Sequence, residues 1–83
     1  MGSLVTRLFD PPRPVEVAIG PEGSPSLVDG MPVLPSNSWR VEVDWWRRPV
    51  AREYWKLVVS DRVLCEVYHD LDQDAWFLER VYD

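Results

Sequence analysis

The apolar residues of this chain recur at every second position through most of its second half. Trp39, Val41, Val43 and Trp45 alternate with Arg40, Glu42, Asp44 and Trp46. Trp55, Leu57 and Val59 oppose Tyr54, Lys56 and Val58, and Val63, Cys65 and Val67 oppose Leu64, Glu66 and Tyr68. In the closing stretch, Trp76, Leu78, Arg80 and Tyr82 share one alternation and Ala75, Phe77, Glu79 and Val81 the other. Side chains of an extended strand point to opposite faces in turn, so each run predicts a strand with two faces. Trp55 and Trp76 share a face with Leu57 and Leu78, which predicts that both indoles are mainly core. The breaks carry turn chemistry: Pro49, Ser60-Asp61-Arg62 and Asp70–Asp74. Asp74 is expected to take a left-handed turn position, which Asp tolerates better than most residues.

Proline and glycine punctuate the first half. Val15, Val17 and Ile19 alternate with Glu16 and Ala18, which reads as one strand. Gly20–Pro25 is a turn cluster. Asp29-Gly30, between Ser26–Val28 and Met31–Leu34, is a dipeptide favoured where a hairpin needs positive φ at both central positions. Pro32 cannot donate a ladder bond, so one of these short strands should lie at an edge. Pro35-Ser36-Asn37-Ser38 is expected to be a loop. Residues 1–12 form a flexible lead-in or edge segment, because Pro11, Pro12 and Pro14 follow the short Leu4–Phe9 run. Residues 13–83 form a single small β domain.

No stretch of ten residues shows the i, i+3, i+4, i+7 spacing of an amphipathic helix. Several strands are apolar on both faces, which a flat sheet with one wet side does not require. The predicted fold class is all-β: a small curled antiparallel sheet or partly open barrel of about six or seven short strands in mostly meander order.

The chain has 83 residues, near the size at which burying enough apolar surface becomes marginal. Its single cysteine, Cys65, excludes an internal disulfide, and no Cys/His cluster offers a metal site. Large aromatic residues, five Trp among them, must therefore supply the core. There is no run resembling a membrane span or signal peptide, and cysteine usage suits a reducing compartment, so a cytoplasmic location is expected.

Little here suggests catalysis. Asp70-x-Asp72-x-Asp74 resembles the opening of a calcium loop, but Ala75 stands where that loop needs Gly and Val81 where it needs a bidentate Glu. His69 is the only histidine. Cys65 lies four positions away on the same strand, roughly 13 Å along it, too far for a thiolate–imidazole pair. There is no glycine-rich phosphate loop and no serine in a nucleophile-elbow context. The expectation is a protein that is not an enzyme, with no catalytic residues, metal or cofactor.

The charge distribution leaves one candidate. Net charge is −5, yet residues 39–56 carry two more cations than anions. This basic island also holds Trp39, Trp45, Trp46, Tyr54 and Trp55. Trp46, Arg47, Arg48, Arg52 and Tyr54 form the candidate partner-binding set, an aromatic-basic ridge, with Trp46, Arg47 and Arg48 assigned to it by their face opposite Trp39, Val41, Val43 and Trp45. Trp and Arg are enriched in protein–protein hot spots. They also serve single-strand nucleic-acid binding by stacking, although the acidic total and the absence of a dense basic stripe weigh against that use. A structural domain with no separable activity is the third reading.

The run from Trp39 to Trp55, with Trp45-Trp46-Arg47-Arg48-Pro49 at its centre, resembles the C-terminal segment of ImuB-type proteins. So do Val67–Leu71 and Trp76–Asp83, and the similarity extends more loosely over residues 13–83. ImuB-type proteins are Y-family-polymerase-like accessory proteins of bacterial damage-induced mutagenesis, and similar segments occur as stand-alone bacterial domains of unknown function. The resemblance implies a non-enzymatic protein-interaction module in translesion mutagenesis or DNA repair, with a RecA-like or polymerase component as partner. It brings no polymerase carboxylates to this chain, and no clamp-binding peptide is present.

Overall fold

A computed structural model describes residues 6–44, 49–59 and 63–82. Among these the architecture is all-β. The strands are β1 (Thr6–Val15), β2 (Val17–Ile19), β3 (Pro25–Val28), β4 (Met31–Asp44), β5 (Pro49–Val59), β6 (Val63–Asp70) and β7 (Ala75–Tyr82). They form one antiparallel sheet in the order β1-β7-β6-β5-β4-β3-β2, curled into a half-barrel. From β2 to β7 every strand pairs with its sequence neighbour, which is the predicted meander.

The curl follows from what happens at Glu16. Val15 pairs with Trp76 of β7, whereas Val17 pairs with Val28 of β3. One continuous segment thus supplies both outer strands of the sheet. The expected single strand Val15–Ile19 is therefore split, because its two halves bond to opposite ends of the strand order. Asp29 clasps the crossing: its Oδ1 accepts from Glu16 N at 2.8 Å, and its own N–H donates to Glu16 O at 2.8 Å. Asp29 and Gly30 have φ of 49° and 81°, the backbone that an Asp-Gly hairpin turn requires. Ile19 departs from the expected alternation. Past the extra residue Ser26 in β3 it lies exposed at the end of its strand.

The core lies on the concave face. Val33, Leu57, Cys65 and Val67 are buried there, with Val28, Trp55, Val59, Trp76, Leu78 and Val81 packed around them. Both indoles expected in the core are among these. Two bulges correct the predicted faces. Pro35 pairs with Leu57 and Asn37 with Lys56, so Ser36 is an extra residue in β4. The expected loop at 35–38 is instead part of a strand, since a bulge absorbs Ser36 and Pro35 lies where β4 has, among the described residues, no neighbour on its outer side. Beyond the bulge the phase inverts, so Trp39 and Val41 lie on the convex face. The second bulge is in β7: Val67 pairs with Leu78 but Glu66 with Arg80. It removes Arg80 and Tyr82 from the face of Trp76 and Leu78 and turns Val81 inward.

Asp70 Oδ1 accepts from the N–H groups of Asp72 (3.0 Å) and Gln73 (3.1 Å), and Asp74 closes the turn at φ 51°. The aspartate-rich segment is a side-chain-capped turn.

Leu57 is completely buried, so Leu57→Ala should cost about 2–5 kcal/mol in a urea melt followed by circular dichroism. Asp29→Ala should cost about 1–3 kcal/mol, through the lost bond to Glu16 and a left-handed φ that alanine resists.

Candidate partner-binding surface

The convex face carries a row of aromatic rings laid across adjacent strands. Trp39 of β4 stacks on Tyr54 of β5, with centroids 5.4 Å apart and planes 3° from parallel. Tyr54 contacts Tyr68 of β6 at 5.3 Å, and Tyr68 contacts Phe77 of β7 at 5.3 Å. Register produces the row, since each pair is directly opposite in its ladder. Cross-strand aromatic pairs of this kind each contribute about 0.2–1 kcal/mol.

Arg52 sits over this row. Its guanidinium carbon is 4.5 Å from the Tyr68 ring centroid, and its Nη1 donates a long bond of 3.5 Å to the Tyr54 hydroxyl. That bond, with the neighbouring phenols and Asp70, holds the guanidinium even more firmly charged than usual, against some desolvation. Tyr68 is only 4% exposed, and burial raises its hydroxyl pKa against the opposing pull of Arg52. Next along the convex face is a charge cluster. The buried Glu66 carboxylate accepts from the Tyr82 hydroxyl at 2.9 Å, with Lys56 and Arg80 each 4.0 Å away. These contacts account for a glutamate inside the sheet.

Trp46, Arg47 and Arg48 lie outside the described residues. Of the predicted ridge, the structure brings together Arg52 and Tyr54, on the face of Trp39. Trp39 and Tyr68 were missed as neighbours of Tyr54, and Phe77 as the neighbour of Tyr68. Their signal was available: one aromatic in each of four successive strands, at positions that antiparallel pairing sets opposite each other.

The ladder between β4 and β5 runs from Val33–Val59 out to Asp44–Pro49, whereas that between β5 and β6 stops at Arg52–Asp70. Beyond that point the β4–β5 hairpin projects as a two-stranded ribbon, tied at its base by a 3.0 Å bond from Leu71 N to Ala51 O. Residues 45–48 join its two strands. A ribbon of this kind offers side chains on both faces. Tyr54, by contrast, lies between Trp39 and Tyr68, and Arg52 covers Tyr68, so these rings already spend their faces on one another. Their arrangement favours contact through ring edges over intercalated bases.

On the concave side, a cavity of about 490 Å³ opens between β1, β3, β4 and β7, lined mainly by Val15, Val28, Met31, Leu78 and Val81. Arg13 and Asp29 are its charged lining residues. Cys65 also borders it, but burial, aided by neighbouring Glu66, pushes the thiol from its ordinary 9.0 up to about 11. A thiol so protonated is a poor nucleophile. His69 is committed elsewhere, stacked on Trp76 at 4.5 Å with its Nε2 2.7 Å from Asp74 Oδ1. No group of three or more metal-ligating side chains occurs among the described residues.

The raised Cys65 pKa has a definite sign in stability. Thiol and fold are compatible below about 9, and that contribution is lost as pH rises from there through the folded value of about 11, because the unfolded chain ionises first. Cys65→Ser, which lacks this ionisation, should show a shallower decline over that window in urea melts. Iodoacetamide should label Cys65 in urea but only slowly in the native protein at pH 8.

Compared with protein-family models, with curated proteins and with solved structures, the chain matches none.

Proposed function

We propose that this domain is a non-enzymatic protein-interaction module, and that it contacts its partner with the projecting β4–β5 ribbon. The observation that carries this reading is the ribbon itself, which extends past the sheet and has Arg52 and the Trp39–Tyr54 stack at its base. Trp45, Trp46, Arg47 and Arg48 follow β4 and precede β5 in the sequence, so the residue types most enriched in interaction hot spots are concentrated in the segment that joins the ribbon's two strands. Trp46, Arg47 and Arg48 are the proposed anchors, with Arg52 and Tyr54 as a second contact nearer the sheet.

The resemblance to ImuB-type segments links this module to bacterial translesion mutagenesis and DNA repair in the cytoplasm. A RecA-like or polymerase component of a mutagenesis complex is the proposed partner. Net charge of −5 and the mutual contacts of the convex rings favour protein over single-stranded nucleic acid.

A pull-down with purified RecA-like and polymerase partners should recover the wild-type chain and lose it on Trp46→Ala, since truncating a hot-spot aromatic typically costs about 2 kcal/mol or more. Equal recovery of both, or of neither, would overturn the proposal. Quenching of Trp fluorescence by an oligonucleotide, weakening steeply as salt rises, would favour the nucleic-acid reading in its place.

A further inference from the structure

The sheet has unpaired edges, and the chain treats them unequally. β1 carries Pro11, Pro12 and Pro14, residues that cannot donate to an added strand. β2 is three residues long and ends against the bulge at Ser26. β4 differs. It pairs with β3 only through Met31 and Pro32, so from Val33 to Asp44 it has β5 on one side and, among the described residues, no strand on the other. Pro35 and the Ser36 bulge protect the start of that edge. From Asn37 to Asp44 there is neither proline nor bulge.

We infer that the β4 edge pairs with the β4 edge of a second copy of this chain, antiparallel about a two-fold axis at Val41. Symmetry and side-chain parity restrict the choice of register. A two-fold perpendicular to the sheet keeps each face on its own side, so the axis must pass through a residue and not between two. Centred on residue 40, the pairing sets Arg40 against its own copy. Centred on residue 42, it sets Glu42 against its own copy. Centred on Val41, it sets Arg40 opposite the second copy's Glu42 twice over.

The geometry already present suits that register. Arg40 and Glu42 are exposed, at 57% and 63% of their side-chain surface, and Arg40 Nε lies 2.8 Å from Glu42 Oε1. Across β5, Arg40 faces Glu53. The guanidinium has five donors, so it can keep its own Glu42 and accept a second carboxylate from the adjoining copy. On the convex face the aromatic row ends at Trp39, whose side away from Tyr54 points to this same edge. In the Val41-centred register, residue 43 of the second copy stands opposite Trp39 at the end of that row. Pairing of residues 38–44 alone is a small interface, so the dimer is weak and concentration-dependent. This inference does not rest on the proposed mutagenesis partner.

Sedimentation equilibrium of the full chain, from about 1 µM to about 1 mM, tests it. The wild type should show a monomer–dimer equilibrium. Arg40→Glu and Glu42→Arg should each raise the dissociation constant about tenfold or more, because each creates two like-charge oppositions. An equimolar mixture of those two variants should associate again, as should the double variant R40E/E42R, since both restore opposite charges across the axis. Circular dichroism should show every variant folded, both side chains being exposed. A wild type that stays monomeric throughout would overturn the inference, as would single variants that dimerise like the wild type. A mixture no tighter than its separate components would overturn it too. Binding of unrelated extended peptides by a monomeric wild type would give the edge to a different occupant.

Discussion

The pair of 2.8 Å hydrogen bonds between Glu16 and Asp29 holds together two demands that otherwise conflict. The segment 6–19 must bond to β7 over its first part and to β3 over its last, although those strands lie far apart in the sheet order. Only a curled sheet brings both within reach, and the Asp29 clasp sits where the chain changes partner. Everything on the concave side depends on that curl. Val28, Val33, Leu57, Val67, Leu78 and Val81 come from five strands, and a flat sheet would leave such a row half wet. A chain with a single cysteine, and with no cluster of metal-ligating side chains among the described residues, has few other ways to enclose a core at this length.

Curling also explains why the two faces divide the labour. The concave face is aliphatic, with Trp55 and Trp76 at its margin. The convex face is covered by large flat or long side chains: Trp39, Tyr54, Tyr68 and Phe77, with Arg52, Lys56, Arg80 and Tyr82 laid over and beside them. Such side chains shield backbone while keeping polar tips in water, which suits an outward-curving surface. Tyr68 and Glu66 are buried on this side because their neighbours reach across them.

Period-2 alternation revealed the strands and the Asp-Gly turn, but alternation is a local rule and a bulge breaks its phase. One extra residue at Ser36 moved Trp39 and Val41 to the convex side, and one at Glu79 did the same for Arg80 and Tyr82. The second was legible in principle. The apolar positions Trp76, Leu78 and Val81 skip a beat, which strict alternation cannot produce. The first was hidden by Pro35-Ser36-Asn37-Ser38, whose composition is that of a loop and whose location at an outer edge lets it remain extended. Of the candidate set, Arg52 and Tyr54 were legible as members of one aromatic-basic group. Their partners were not, because identifying Tyr68 and Phe77 as neighbours requires cross-strand register, which no single strand contains. The partner change at Glu16 was hidden for the same reason.

The connectivity has a kinetic consequence. Each hairpin from β2 to β7 joins residues close in sequence, whereas β1 meets β7 across nearly the whole chain, with Thr6 opposite Tyr82. Closing that long loop carries an entropic cost before any contact offsets it, so the meander is expected to form before β1 docks. Substitutions in Arg7 or Leu8 should then quicken unfolding while leaving refolding nearly unchanged. On that order β1 is also the strand expected to detach first, so that the concave core would open from its N-terminal side.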